Sequence, residues 1–228
     1  MFFSRVRLAP MITDIKKVTQ AIQGSVYREH QIIWNLFENA EDTKRDFLYR
    51  RFDQGTTPQF FVLSQRSPKN DTGIWSIETN EYAPVVKKGN QFSFNLRVNP
   101  VVTKKIEGAK NPKSRKHDDI VMEARAKYTK SGKTIPSNNE IIMEAGLKWM
   151  KERAKNYGFS VNESKVIIDG YTQLTGKKDR AGHAIRLGVM DFSGILEITD
   201  VTQFTQTLYQ GIGRAKAFGC GLLLLKRV

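Results

Sequence analysis

Three features of the 228-residue sequence predict an α+β fold. Short alternating apolar runs mark strands, apolar stripes at helical spacing lie between them, and a β-α-β-β order occurs in each half of the chain.

Phe2 to Ala9 alternates as a strand. Thr13 or Asp14 caps a helical stretch with Ile15, Val18 and Ile22 on one face, which Gly24 interrupts. Val26, His30, Ile33, Trp34 and Phe37 then share a helical stripe. Phe47 to Phe52 and Phe60 to Gln65 read as strands joined by a Gly-Thr-Thr-Pro turn, and residues 67 to 90 as irregular chain.

The second half begins with a strand from Gln91 to Thr103 and a short helix from Asp118 to Tyr128. A longer helix, Ser137 to Tyr157, opens on the capping box Ser137-Asn-Asn-Glu140. Strands follow near 159 to 173 and 184 to 198, then a helix near 200 to 210 and a strand from 216 to 226. The main elements run β-α-β-β-α-β, the ferredoxin-like plan that RNA-recognition-motif proteins share. The first half reads as a worn copy, so the sequence predicts two tandem ferredoxin-like domains, 1–88 and 89–228. The unbroken Leu222 to Leu225 run implies a strand covered on both faces, by its own helices on one side and the other domain or a loop on the other.

Charge narrows the partner. Lys and Arg number 37 against 23 Asp and Glu, a net +14 that favours a polyanion, with nucleic acid first. No run approaches the roughly 20 apolar residues that span a bilayer, and the amino terminus lacks the charged start and apolar core of a signal peptide. The expected location is the cytoplasm. Cys220 stands alone and reads as a small buried residue, while His30, His117 and His183 are far apart and lack paired cysteines, so no metal or cofactor is expected.

The most telling segment is Gly211-Ile-Gly-Arg-Ala-Lys-Ala-Phe-Gly-Cys-Gly221. It lacks the order of a dinucleotide fingerprint and the Gly-Lys-Ser/Thr of a P-loop. Glycines allow close backbone approach, and Arg214 and Lys216 add charge, which suits a phosphodiester. The competing reading is a tight turn joining a helix to a strand. Two further basic segments are Thr103 to Lys116 and the hairpin tip Thr175-Gly-Lys-Lys-Asp-Arg-Ala-Gly-His183. Either alone could be a solvated loop; together with the glycine segment and the net charge they point to nucleic-acid binding.

For chemistry, Tyr27 and His30 lie three apart, on one side of a helix. A histidine with an ordinary pKa of about 6.5 can take or give the proton needed when an RNA 2′-hydroxyl attacks the adjacent phosphate. The alternative is a histidine packed in an apolar stripe. Tyrosine, with an ordinary pKa of about 10, is a poor free base, which leaves proton transfer to His30 and orientation to Tyr27 without fixing which group is base and which acid.

Three separated segments resemble the CasE family of CRISPR-associated endoribonucleases: Tyr27-x-x-His30 with Trp34 and Phe37, Phe94-Asn-Leu-Arg-Val-Asn-Pro100, and the closing run from Gly211 to Leu223. Asp46-Phe-Leu-Tyr and Phe192-Ser-Gly-Ile-Leu-Glu-Ile are also similar, whereas 67–90 and 104–136 fit less closely. The resemblance implies a metal-independent nuclease that cuts precursor CRISPR RNA at the 3′ base of the repeat stem-loop. It also implies His30 as the main catalytic residue and Tyr27 as its assistant. The enzyme would stay on the mature guide as a Cascade subunit, beside a backbone subunit. The RNA-binding set read from the sequence is Arg97, Lys104, Lys105, Lys113, Arg115, Lys116, Lys177, Lys178, Arg180, Gly211, Gly213, Arg214 and Lys216. A non-catalytic RNA-hairpin-binding subunit explains the same charge and fold without Tyr27 and His30. A DNA-binding regulator explains the charge alone, with no helix-turn-helix to support it.

Overall fold

The computed structural model describes residues 1–10, 26–38, 43–55, 57–106, 108, 111, 114–132, 134–178 and 183–228. Two antiparallel sheets organise these residues. The first contains β1 (Phe2–Leu8), β2 (Phe47–Gln54), β3 (Thr57–Ser64) and β4 (Trp75–Glu81) in the order β2-β3-β1-β4. Helix α1 (Val26–Trp34) covers one face, burying Ile33 among Val6, Phe47, Tyr49, Phe60, Val62 and Trp75. The helix expected from residue 13 to 22 and the break at Gly24 lie outside the described residues.

The second sheet is built from β5 (Gln91–Val98), β8 (Phe159–Val161), β9 (Ile167–Lys178), β10 (His183–Ile198) and β11 (Leu223–Arg227). Its order is β11-β5-β10-β8, and β8 and β9 lie end to end along the outer edge of β10. Helices α3 (Asn138–Asn156) and α4 (Val201–Gln210) supply Ile141, Trp149, Met150, Phe204 and Leu208 to its core. Both sheets follow the ferredoxin-like strand order, so the fold is the expected tandem arrangement.

Five elements differ from expectation. Residues 67–90 contain β4, whose inward Trp75 and Ile77 alternate with Ser76 and with Glu78, which pairs with Arg5 and Arg7 of β1. So polar an edge strand leaves little apolar signal. The strand from Gln91 breaks at Asn99-Pro100, where proline has no N–H to donate, and resumes as β6 (Val101–Lys105). The basic segment then folds back as β7 (Arg115–Asp119), pairing with β6. The strand near 159 is interrupted by a 3-10 turn at Glu163–Lys165 capped by Asn162, and that near 216 by a 3-10 turn at Lys216–Phe218. The remaining helix, α2 (Ile120–Ser131), is capped by Asp119, and the Ser137–Glu140 capping box opens α3 as read. Among the described residues no helix is long and apolar enough to cross a membrane.

The two sheets meet at a dry seam. Leu48 (4% exposed), Leu63 (1%) and Leu222 (2%) pack together, flanked by Phe3, Phe61, Tyr82 and Leu224. Leu223 and Leu225 turn instead into the second core, so the leucine run is covered on both faces. Arg50 of β2 adds a polar bridge, its Nη2 lying 2.7 Å from Asp191 Oδ1 of β10. Truncating Leu222 removes apolar burial and leaves a cavity, so Leu222→Ala should cost about 2–5 kcal/mol in urea unfolding. A loss within about 0.5 kcal/mol, the usual range for a surface site, would mean the seam holds nothing together.

Candidate active site

Helix α1 buries Val26 and Ile33 and turns Tyr27, His30, Gln31 and Trp34 toward one open pocket. Tyr27 and His30 line it together, with Arg28, Ile32 and Asn35 also around it. The half-buried His30 ring lies 5.7 Å from the Trp34 ring and 5.9 Å from Phe47 of β2. Its Nδ1 is buried without a hydrogen-bond partner among the described residues. Burial pushes the His30 pKa below the ordinary 6.5, and the nearby positive charge of Arg45 pushes the same way.

An ion pair anchors this helix. Arg51 of β2 donates from Nη1 to Glu29 Oε1 at 2.5 Å and from Nε to Asp53 Oδ1 at 2.7 Å. Burial raises the Glu29 pKa, and Arg51 offsets only part of that.

The glycine segment packs against α1 and β2. Its ends are tied by Ile212 N–H donating to the Gly221 carbonyl at 2.9 Å, while Gly221 N–H donates to the Arg97 carbonyl at 2.8 Å. Tyr49 hydroxyl donates to the Ala217 carbonyl at 3.2 Å, and the 3-10 turn Lys216–Phe218 touches both α1 and β2. Gly211 has φ +73°, and a Cβ there would fall 2.7 Å from Leu48 Cδ1 and 2.8 Å from the Gly221 carbonyl oxygen. Gly211 N–H donates to Thr207 O, and Gly213 N–H donates to the Tyr157 hydroxyl oxygen at 3.2 Å. The N–H groups of the two glycines expected to face phosphate are thus taken by Thr207 of α4 and by Tyr157, which follows α3. What the turn offers outward is exposed Arg214 and half-buried Lys216. Burial lowers the Lys216 pKa, and Arg45 lowers it further.

The other expected contacts are spread out. Arg97 sits opposite Asp191 in the β5–β10 ladder and grips it through Nη2 at 2.7 Å and Nε at 2.9 Å. Lys104 pairs with Glu123 at 2.7 Å, and Lys116 with Asp118 at 2.9 Å. Exposed Lys105 lies opposite Arg115 on β6–β7, a hairpin associated with α2 and α3. Strand β9 does run beside α1, and Lys177 and Lys178 lie near its tip in register with Ala184 and His183. Lys113 and Arg180 lie outside the described residues. Cys220 is buried as expected, its thiol pushed up to about 12 by that burial.

Arg45 is the group that sequence reasoning missed. It precedes β2, donates from Nη1 to the Phe47 carbonyl at 2.5 Å, and holds its guanidinium 5.9 Å from the centre of the Phe47 ring. In a chain this basic, nothing local sets it apart.

Residues 1–227 match the family described as CRISPR associated protein. The chain belongs to the CRISPR-associated protein family. Within it, the CRISPR system Cascade subunit CasE of Escherichia coli (strain K12) is 26% identical over 211 residues, covering 91% of this chain and 95% of the relative. The CRISPR-associated endoribonuclease Cse3 of Thermus thermophilus is 24% identical, covering 86% and 88%. A solved CRISPR endoribonuclease Cse3 bound to 19 nt RNA superposes with a TM-score of 0.68 at 22% identity, covering 99% of this chain and all of that one. The CasE resemblance read from the motifs therefore holds for this CRISPR-associated protein.

The lowered His30 pKa has a measurable sign. The unfolded chain binds that proton more tightly than the folded one, so stability falls as pH drops from about 6.5 through the lower folded value. Histidine ring NMR should place the His30 midpoint below 6.5; a midpoint at or above it would contradict the buried, cation-flanked setting.

Proposed function

We propose that this protein is an endoribonuclease that binds the stem-loop of a CRISPR repeat and cleaves precursor CRISPR RNA at the 3′ base of the stem. The observation that carries this is the pocket that Tyr27 and His30 line together on α1, the helix against which the cationic turn packs. With its pKa depressed, His30 is mainly neutral near pH 7, the form that accepts a proton. His30 takes the 2′-hydroxyl proton as the 2′-oxygen forms a bond to phosphorus. The bond from phosphorus to the 5′-oxygen breaks, and that oxygen takes a proton from the Tyr27 hydroxyl or back from His30 as it leaves. One fragment then ends in a 2′,3′-cyclic phosphate and the other begins with a 5′-hydroxyl. Tyr27 orients the nucleophile or the phosphate. This route uses no metal and no cofactor.

The relatives' names support the reading, one being called an endoribonuclease and another a Cascade subunit, as does the RNA held by the structural relative. After cleavage the protein stays on the guide hairpin as a Cascade subunit in the cytoplasm, against a backbone subunit. Its domains divide near residue 88, between the end of β4 at Glu81 and the start of β5 at Gln91. The tip bearing Lys177, Lys178 and Arg180 grips the stem because β9 flanks α1. Lys105, Lys113 and Arg115 provide a second basic arm; Lys104 and Lys116 share it with the carboxylates of Glu123 and Asp118. Arg214 and Lys216 contact RNA at the turn, whereas Arg97, Gly211 and Gly213 serve by shaping the seam and turn.

The test is single-turnover cleavage of the repeat hairpin. His30→Ala should slow cutting by roughly 10²–10⁴-fold while hairpin affinity stays within a few-fold. A folded mutant cutting at the normal rate would leave His30 a packing residue. A wild-type protein that binds without cutting would favour the non-catalytic subunit.

A further inference from the structure

We propose that Arg45 meets the scissile phosphate and stabilises the charge that builds on it during cleavage; this rests on the endoribonuclease reading above. The phenyl ring of Phe47 is a neighbour of both Arg45 and His30. His30 and the Arg45 guanidinium each lie 5.9 Å from its centre, and the hydrogen bond from Arg45 Nη1 to the Phe47 carbonyl holds the guanidinium there. The 3-10 turn that carries Lys216 packs against the helix of His30 and against β2.

Charge pairing separates Arg45 from the other partly buried arginines around α1 and the seam, whereas Arg125 of α2 and Arg153 of α3 also form no ion pair among the described residues. Arg50 and Arg97 share Asp191, Arg51 binds Glu29 and Asp53, and Arg66 binds Asp46. The carboxylate next to Arg45 in sequence, Asp46, is gripped by Arg66 through both oxygens at 2.7 and 2.8 Å. Among the described residues no carboxylate forms an ion pair with Arg45 or Lys216. Burial lowers the pKa of each, and the positive charge of Arg45 lowers that of both Lys216 and His30. Two partly buried cations, one acting on the other through its charge and neither ion-paired among the described residues, gain from an anion placed between them. A phosphodiester is an anion, and a guanidinium fork matches its two oxygens better than an ammonium does. Tyr49 and Asp46 are the other ionisable groups whose charge reaches Arg45; the first is a neutral phenol at neutral pH and the second is taken by Arg66.

The experiment measures single-turnover cleavage and binding of the repeat hairpin by wild type, Arg45→Ala and Arg45→Lys, with folding checked by circular dichroism. Arg45→Ala should slow cutting by roughly 10²–10³-fold with affinity within a few-fold, as when a preorganised donor to a developing anion is removed. Arg45→Lys should recover part of that rate. Guanidine hydrochloride at tens of millimolar should rescue Arg45→Ala and leave His30→Ala inactive, and the acid limb of the pH–rate profile should move upward in Arg45→Ala. Cutting at the wild-type rate by either folded variant overturns the proposal, as does a slow Arg45→Ala that guanidine cannot rescue. If Arg45→Ala fails to fold, Arg45→Lys decides: a slowed rate with unchanged affinity supports the proposal. A wild-type protein that binds the hairpin and leaves it whole removes the endoribonuclease reading and this inference with it.

Discussion

Five consecutive residues of β2 each hold a different part of the molecule. Phe47 carries the His30 ring and the Arg45 guanidinium, Leu48 packs into the seam, and Tyr49 donates to the glycine turn. Arg50 crosses to Asp191 of the second sheet, and Arg51 ties down Glu29 of α1. Strand alternation makes this possible, since odd positions face the helix and even positions face the other sheet. It also makes the arrangement unforgiving: slipping β2 by one residue would send every side chain to the wrong face. The order β2-β3-β1 and its ladder fix that register.

The polar part of the seam is the Arg50–Asp191–Arg97 group. Burial works to raise the Asp191 pKa, but the hydrogen bonds and charges of Arg97 and Arg50 outweigh it and hold the carboxyl below its usual range. Such a buried group adds little net stability over apolar packing, yet removing one member leaves an uncompensated charge. Its value here is alignment. The cleft next to the site into which this group opens is lined also by Glu29, Arg51, Asp53 and Asp169, so its arginines are matched by carboxylates.

Much of this was legible in the sequence because it depends on periodicity and local spacing. The Leu222–Leu225 run announced a strand covered on both faces, Ser137-Asn-Asn-Glu140 announced a helix start, and the spacing of Tyr27 and His30 placed them in one pocket. Elements stabilised by ion pairs rather than apolar alternation were not legible: β4 reads as polar chain because Glu78 faces Arg5 and Arg7, and β6–β7 reads as a basic loop. The glycines signalled a special turn but not the destination of its N–H groups, which only the fold reveals. Arg45 was hidden for a related reason. Its place against the Phe47 ring, without an ion pair among the described residues, is a property of three dimensions.

The central claim is that the RNA supplies its own nucleophile and the protein supplies proton transfer and charge. Single-turnover cleavage of a repeat hairpin with one 2′-deoxy sugar immediately 5′ of the scissile phosphate tests this directly, run beside the all-ribose hairpin in excess EDTA. The account predicts that the deoxy hairpin binds and stays whole. The ribose hairpin should be cut in EDTA to a fragment ending in a 2′,3′-cyclic phosphate and another beginning with a 5′-hydroxyl. Cutting of the deoxy hairpin, or activity lost in EDTA and restored by magnesium, would contradict it.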